Sequence, residues 1–280
     1  MKTFFTKTKL IAASMVFGLA AASSVNAATI TFGGQVATDS SGLTSSKIDA
    51  SNIISDVTLG YFVETFDAAT AIPAFPSANN TAYNVAGAST GCSINSPLMI
   101  TQNNPGILNV RNGSVTNVAA APKNDSTCYG YTTPAGAAPN FVDIDYTAFL
   151  ATIGGAVPAL AGSYIDYLGF YWGSVDRYNT FQFFSDNALV KQITGTELLA
   201  QLGGTAGDQT SDKSNVYVNI DFSPAEAFNK LRVITSGIAG EFDNIVVGLN
   251  KRPVTVPAPT GLAILGLGLL GLGLGRRLKK

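Results

Sequence analysis

The chain has 280 residues, a formal net charge of −1 and no histidine. The near-neutral total hides an asymmetry, because residues 28–275 carry ten Lys/Arg against all eighteen Asp/Glu, a formal charge of −8 that disfavours nucleic acid and anionic surfaces as partners. The missing histidine excludes His-based zinc sites and the commonest general base, and about 225 residues between the two terminal segments suffice for one large β domain or two small ones.

At the start, Lys2, Lys7 and Lys9 precede an apolar stretch over 10–22 and a small-residue site, Val25-Asn26-Ala27. These are the three parts of a secretory signal peptide, with a mature start near Ala28; the apolar stretch is too short and Ala-rich for a membrane helix. Residues 29–36 and 57–66 read as strands from their alternation and their β-branched and aromatic content. From 68 to 140 the chain turns rich in Pro, Asn and Gly and reads as long loops along one edge, with short strands at 98–102, 107–110 and, just beyond, 141–146. Within it Gly87-Ala88-Ser89-Thr90-Gly91 matches the G-x-S-x-G pattern, but a serine nucleophile without a histidine or a strand-to-helix setting reads as a plain loop. Cys92 and Cys128 are the two cysteines. In an exported chain they favour one disulfide over two free thiols, and two sulfurs do not complete a zinc site.

The second half is more regular. Strands are expected at 164–172, 178–184 and 188–193, the last two joined as a hairpin through Ser185-Asp186-Asn187. Thr196 is placed to cap a short helix over 197–202. Residues 215–222 set Val216, Val218, Ile220 and Phe222 on one face. Ser223-Pro224-Ala225-Glu226 has capping-box spacing, predicting a helical turn to Lys230, and strands at 231–235 and 241–248 close the domain. The fold class is all-β: an antiparallel β-sandwich of jelly-roll type with one or two short helices.

Three residue sets on this frame could carry chemistry. Asp143 and Asp145 share a strand face, as a glycoside-cleaving pair would, although solvated strand-face acids are the default. Glu64 and Asp67 beside an early strand, with Asp243 and Asn244 opening the last one, supply the hard oxygen donors that suit a structural Ca²⁺; no other cofactor is implied. Tyr167, Tyr171 and Tyr178 are the rings available to stack on a sugar, while Leu168, Phe170 and Trp172 fall on the core face.

The chain ends in a Pro-bounded run, Val256-Pro257-Ala258-Pro259, then fifteen uncharged Gly/Leu-rich residues over 261–275, then Arg276, Arg277, Lys279 and Lys280. As a helix the run spans roughly 22 Å, short of the roughly 30 Å hydrocarbon core unless flanking residues join it and the basic end snorkels on the cytoplasmic side. This three-part pattern resembles the PEP-CTERM sorting signal, with Ala258 where the family signature has Glu. The resemblance implies a single transmembrane helix and recognition by an exosortase of a Gram-negative bacterium. Export through Sec, transient inner-membrane anchoring, cleavage near the Pro pair and association with exopolysaccharide or biofilm at the cell surface would follow. Residues 164–249, through YLGFYWGSVDRYNTFQFF, TGTELL and FDNIVVG, are similar to one group of exosortase-dependent surface proteins. The expected organisation is signal peptide 1–27, ectodomain 28–253 and sorting signal 254–280, in a non-enzymatic protein, with a carbohydrate-binding module or a carboxylate-based polysaccharide-active enzyme as alternatives.

Overall fold

A computed structural model describes residues 28–53, 60–67, 91–92 and 99–251. Its longest strand, β14 (Gly240–Lys251), is the spine. One side pairs antiparallel with β9 (Ser163–Gly173). The other side is shared: β7 (Cys128–Thr132) takes Gly240 to Phe242, and β4 (Tyr61–Glu64) takes Ile245 to Gly248. Asp243 and Asn244 therefore fall in the gap between two partner strands. A β-bulge interrupts the β14–β9 register there, between Asp243 and Val246, and Asn244 adopts φ 49°, in the left-handed region that Asn tolerates best after Gly.

β12 (Val216–Asp221), β1 (Thr29–Phe32) and β6 (Leu108–Asn112) complete a seven-stranded sheet of order β1-β12-β9-β14-β7-β6, with β4 also on β14. A second sheet runs β11-β10-β13-β8-β5, from β5 (Met99–Gln102), β8 (Asn140–Asp145), β10 (Thr180–Ser185), β11 (Ala188–Thr194) and β13 (Lys230–Thr235). A short β2–β3 pair (Gln35–Val36, Leu43–Thr44) stands apart. The predicted strand over 29–36 is thus split at Gly33-Gly34.

The two sheets pack face to face through aromatic rings. Phe181 of β10 lies 4.3 Å from Phe170, 4.7 Å from Trp172 and 5.9 Å from Phe242, centroid to centroid, all three on the other sheet. Offset and edge-on contacts of this kind add to what burial of the rings supplies. Residues 68–140 do not simply decorate one edge: β5 borders the second sheet, and β6 with β7 extends the first. β7 went unpredicted because CYGYT sits among turn-formers and is buried at every position. Gly130 is required there, since a Cβ would come within 2.8 Å of the Phe66 ring and 2.9 Å of Phe242.

Two α-helices occur among the described residues. The first, α1 (Thr147–Ala156), buries Phe149 and Ile153 but has a Gly-Gly pair and no cap on Tyr146, so its sequence signal is weak. The second, α2 (Gly195–Leu202), begins two residues earlier than Thr196 implied. Its cap is Thr194, whose hydroxyl accepts from the Glu197 amide at 3.1 Å while Glu197 Oε2 accepts from the Thr194 amide at 3.0 Å. Replacing Thr194 by Ala is expected to cost about 1 kcal/mol and replacing Thr196 close to nothing, measurable by urea unfolding. The 223–226 segment forms a turn, with Ser223 bonded to Glu226 at 2.8 Å, and no helix, because β13 begins at Lys230.

No helix among the described residues is long and apolar enough to cross a membrane. The signal-peptide segment, residues 57–59, Gly87 to Thr90 of the G-x-S-x-G match, Val256, Pro257, Ala258, Pro259 and the basic residues Arg276, Arg277, Lys279 and Lys280 lie outside the described residues.

Candidate functional site

The outer face of the seven-stranded sheet is covered by residues 35–52. Asn52 Nδ2 donates to Asn244 Oδ1 at 2.6 Å, and Asn244 Nδ2 lies within 2.9 Å of the Ser41 and Leu43 carbonyls. Ser45 Oγ bonds the Tyr167 hydroxyl at 2.7 Å, and Tyr171 donates to the Lys123 carbonyl at 2.7 Å. Tyr167 and Tyr171 are each 1 % exposed, so neither presents a ring to a sugar. Alternation placed them off the core face correctly, but a polar cap, not solvent, lies above them. Tyr178 is half-buried, its hydroxyl between Asp176 and the Ile238 carbonyl.

Beneath that cap lies an acidic centre. Asp243, fully buried, has no hydrogen-bond partner at either carboxylate oxygen. Asp125 adjoins it. Asp125 Oδ1 accepts from the Thr127 amide and hydroxyl, both at 2.8 Å, whereas its buried Oδ2 has no partner. Burial first, then the Asp125 charge, pushes the Asp243 carboxyl well above the usual range, with Asp67 and Asp39 adding repulsion. Asp125 is pushed up to about 6, again mainly by burial. Burial also raises Asp67, whose carboxylate accepts from the Cys128 amide at 3.1 Å.

Of the four residues expected to hold a cation, Asp243 stands in the centre and Asp67 is near enough for its charge to raise the Asp243 carboxyl. Asn244 spends its amide on the cap. Glu64 is buried and bonds the Phe66 amide at 2.8 Å, acting as a strand-end lock. Asp125 was missed; the signal for it was Asp125-Ser126-Thr127, an Asp before a hydroxyl pair directly ahead of Cys128. No group of three His, Cys, Asp or Glu side chains suited to hold a metal occurs among the described residues, so the centre is a two-carboxylate nucleus. Two adjoining buried carboxylates must share a proton or hold a cation, because two desolvated negative charges side by side are very costly.

The cysteines behave as expected: Cys92 and Cys128 are joined, with Cα atoms 5.5 Å apart. Asp67 forms a β-bridge with Cys92, so the disulfide stands directly beside the acidic centre.

Comparison with protein-family models, with curated proteins and with solved structures returned no match.

Asp143 and Asp145 are each engaged within the fold. Arg232 clamps Asp143 through two bonds of 2.6 and 2.7 Å, and Asp145 accepts from the Thr147 amide at 2.7 Å at the start of α1. A separate cleft of about 480 Å³ is lined by the 114–120 loop, Asp176, Tyr178 and Glu241. Burial pushes Glu241 up to about 8, yet the side chain is sealed at 3 % exposure, with its oxygens accepting from the Ala120 amide at 3.0 Å and the Ser174 hydroxyl at 2.9 Å. It pins the loop to the sheet.

Proposed function

We propose that this chain is an exported protein of the bacterial cell surface or extracellular matrix, sorted by an exosortase, associated with exopolysaccharide, and built on a non-enzymatic jelly-roll ectodomain. The observation that carries the reading is the Cys92–Cys128 disulfide, since such bonds persist in oxidising, extracytoplasmic compartments. The flanking sequence signals agree with it. A jelly-roll assignment is supported by strand order: β7-β14-β9-β12 in one sheet and β8-β13-β10-β11 in the other are, counting these eight strands in sequence, 1-8-3-6 over 2-7-4-5.

The mechanism is placement. Sec would export the chain, the 254–280 segment would hold it in the inner membrane, and cleavage near Pro257-Ala258-Pro259 would hand the ectodomain onward. Ala28 already packs in the core beside β1, so a mature chain starting there keeps every described strand. Burial of Tyr167 and Tyr171, and the engagement of Asp143, Asp145 and Glu241, weigh against the sugar-binding and hydrolase alternatives.

Mass spectrometry of both termini, on protein from separate membrane, surface and medium fractions, tests this. The expected form begins near Ala28, ends within 256–259 and occurs outside the inner membrane. Protein ending at Lys280 and confined to membranes would overturn the surface assignment.

A further inference from the structure

We propose that the buried Asp125–Asp243 pair is a Ca²⁺ site that fastens the N-terminal cap to the sheet. Three carboxylate oxygens, both of Asp243 and Oδ2 of Asp125, are buried without a well-formed hydrogen bond, and only the Asn244 amide and the two carboxyls' effect on each other offset their burial. Native proteins rarely leave such atoms unsatisfied. The charges that bear most on Asp243 are all negative: Asp125, Asp67 and Asp39. The nearby lysines are committed elsewhere, Lys123 to Asp212 at 2.6 Å and Lys47 to Asp221.

Position supports the same conclusion. Asp243 lies in the gap where β4 and β7 share β14, and the strand ends beside it carry acids: Asp67 follows β4 and Asp125 precedes β7. Asp39 arrives on the cap, bonded to Ser41 and Asn52. A cation here would tie four segments, 35–52, 60–67, 122–128 and β14, that are distant in sequence.

The donor set selects the metal. All its donors are oxygens, the chain has no histidine, and both cysteines are in the disulfide, which leaves hard cations. Ca²⁺ accepts six to eight oxygens in irregular geometry, whereas Mg²⁺ demands a near-ideal octahedron and dehydrates reluctantly. With the Asp125 and Asp243 carboxylates as nucleus, water would complete the shell, while Asp67 and Asp39 add negative charge from further out.

The full-length chain in detergent, stripped with EDTA and then titrated with Ca²⁺, tests the site. At Ca²⁺ a hundredfold above its Kd the expected rise in Tm is about 5 to 10 °C, with one ion per chain. Mg²⁺ at the same concentration is expected to give less than half that rise. Asp243→Asn and Asp125→Asn, each folded by circular dichroism, should lose the response. Tb³⁺ used as a luminescent stand-in locates the ion even if both variants unfold, because Tyr171 lies directly across from Asp243 in the register; Tyr171→Phe should cut the sensitised emission severalfold. A wild-type chain indifferent to Ca²⁺, a response retained in Asp243→Asn, or emission unchanged in Tyr171→Phe would each overturn the proposal and leave a shared proton between the carboxyls.

Discussion

Replacing Cys92 and Cys128 together by Ala is expected to destabilise the ectodomain by about 3 to 4 kcal/mol, the chain-entropy value for a closed loop of 36 residues. For a domain of this size that is a fall in Tm of about 10 °C. Both cysteines are buried, at 3 % and 5 % exposure, so alanine leaves small voids and no stranded polar atom. The loss has a second consequence. The Cys128 amide donates to Asp67, and Asp67 bridges Cys92, so opening the bond loosens one wall of the acidic centre. Thermal melts of the wild type with and without dithiothreitol, beside the double variant, check the first effect. Repeating them at saturating Ca²⁺ checks the second: the stabilisation by Ca²⁺ should shrink in the reduced protein. Identical melting of oxidised and reduced chains would show that strand pairing alone holds 91–92 to β7.

The second large effect concerns Glu241. Its carboxyl is raised from an ordinary 4.5 to about 8, chiefly by burial. A carboxyl raised in the folded state binds its proton more tightly there than in the unfolded chain, so the associated stability is fully present below about 4.5 and is lost as pH rises to about 8. At about 1.4 kcal/mol per unit, the stretch between pH 5.5 and 8 removes about 3 kcal/mol. Asp125 and Asp243 slope the same way, so the measurement compares wild type with Glu241→Gln at constant saturating Ca²⁺. Glutamine can still accept from the Ala120 amide and meet Ser174, without a titrating proton. The wild-type Tm should fall by about 6 to 12 °C across that window and the variant's much less, the two curves converging at low pH. Parallel curves would mean that Glu241 is ionised at neutral pH and that its two donors outweigh its burial.

Much of the fold was legible. The strands expected at 164–172, 178–184, 188–193, 215–222, 231–235 and 241–248 are all present, with ends shifted by up to three residues, and the 185–187 turn closes the hairpin where expected. What escaped had a local reason. CYGYT carries a glycine that reads as a loop, although Gly130 is demanded by the Phe66 and Phe242 rings pressed against it. Helix α1 lacks a cap signal. Thr194 precedes the α2 helix and Thr196 lies in its first turn, and only the backbone decides which hydroxyl meets the Glu197 amide.

The candidate site divides in the same way. An acidic, His-free, two-cysteine composition and a terminal Asp243-Asn244 pair pointed to oxygen ligands and a disulfide, because those depend on which atoms the chain possesses. Asp125 lies more than a hundred residues from Asp243 in sequence, and the bulge that turns Asn244 toward the cap has no local sequence signal. Tyr167 and Tyr171 make the point from the other side. Periodicity of two determines which sheet face a side chain takes, and did so for both. Whether that face meets water depends on a segment arriving from more than a hundred residues away, and only the folded chain, where β14 must be shared between β4 and β7, brings the cap and the acids to the same place.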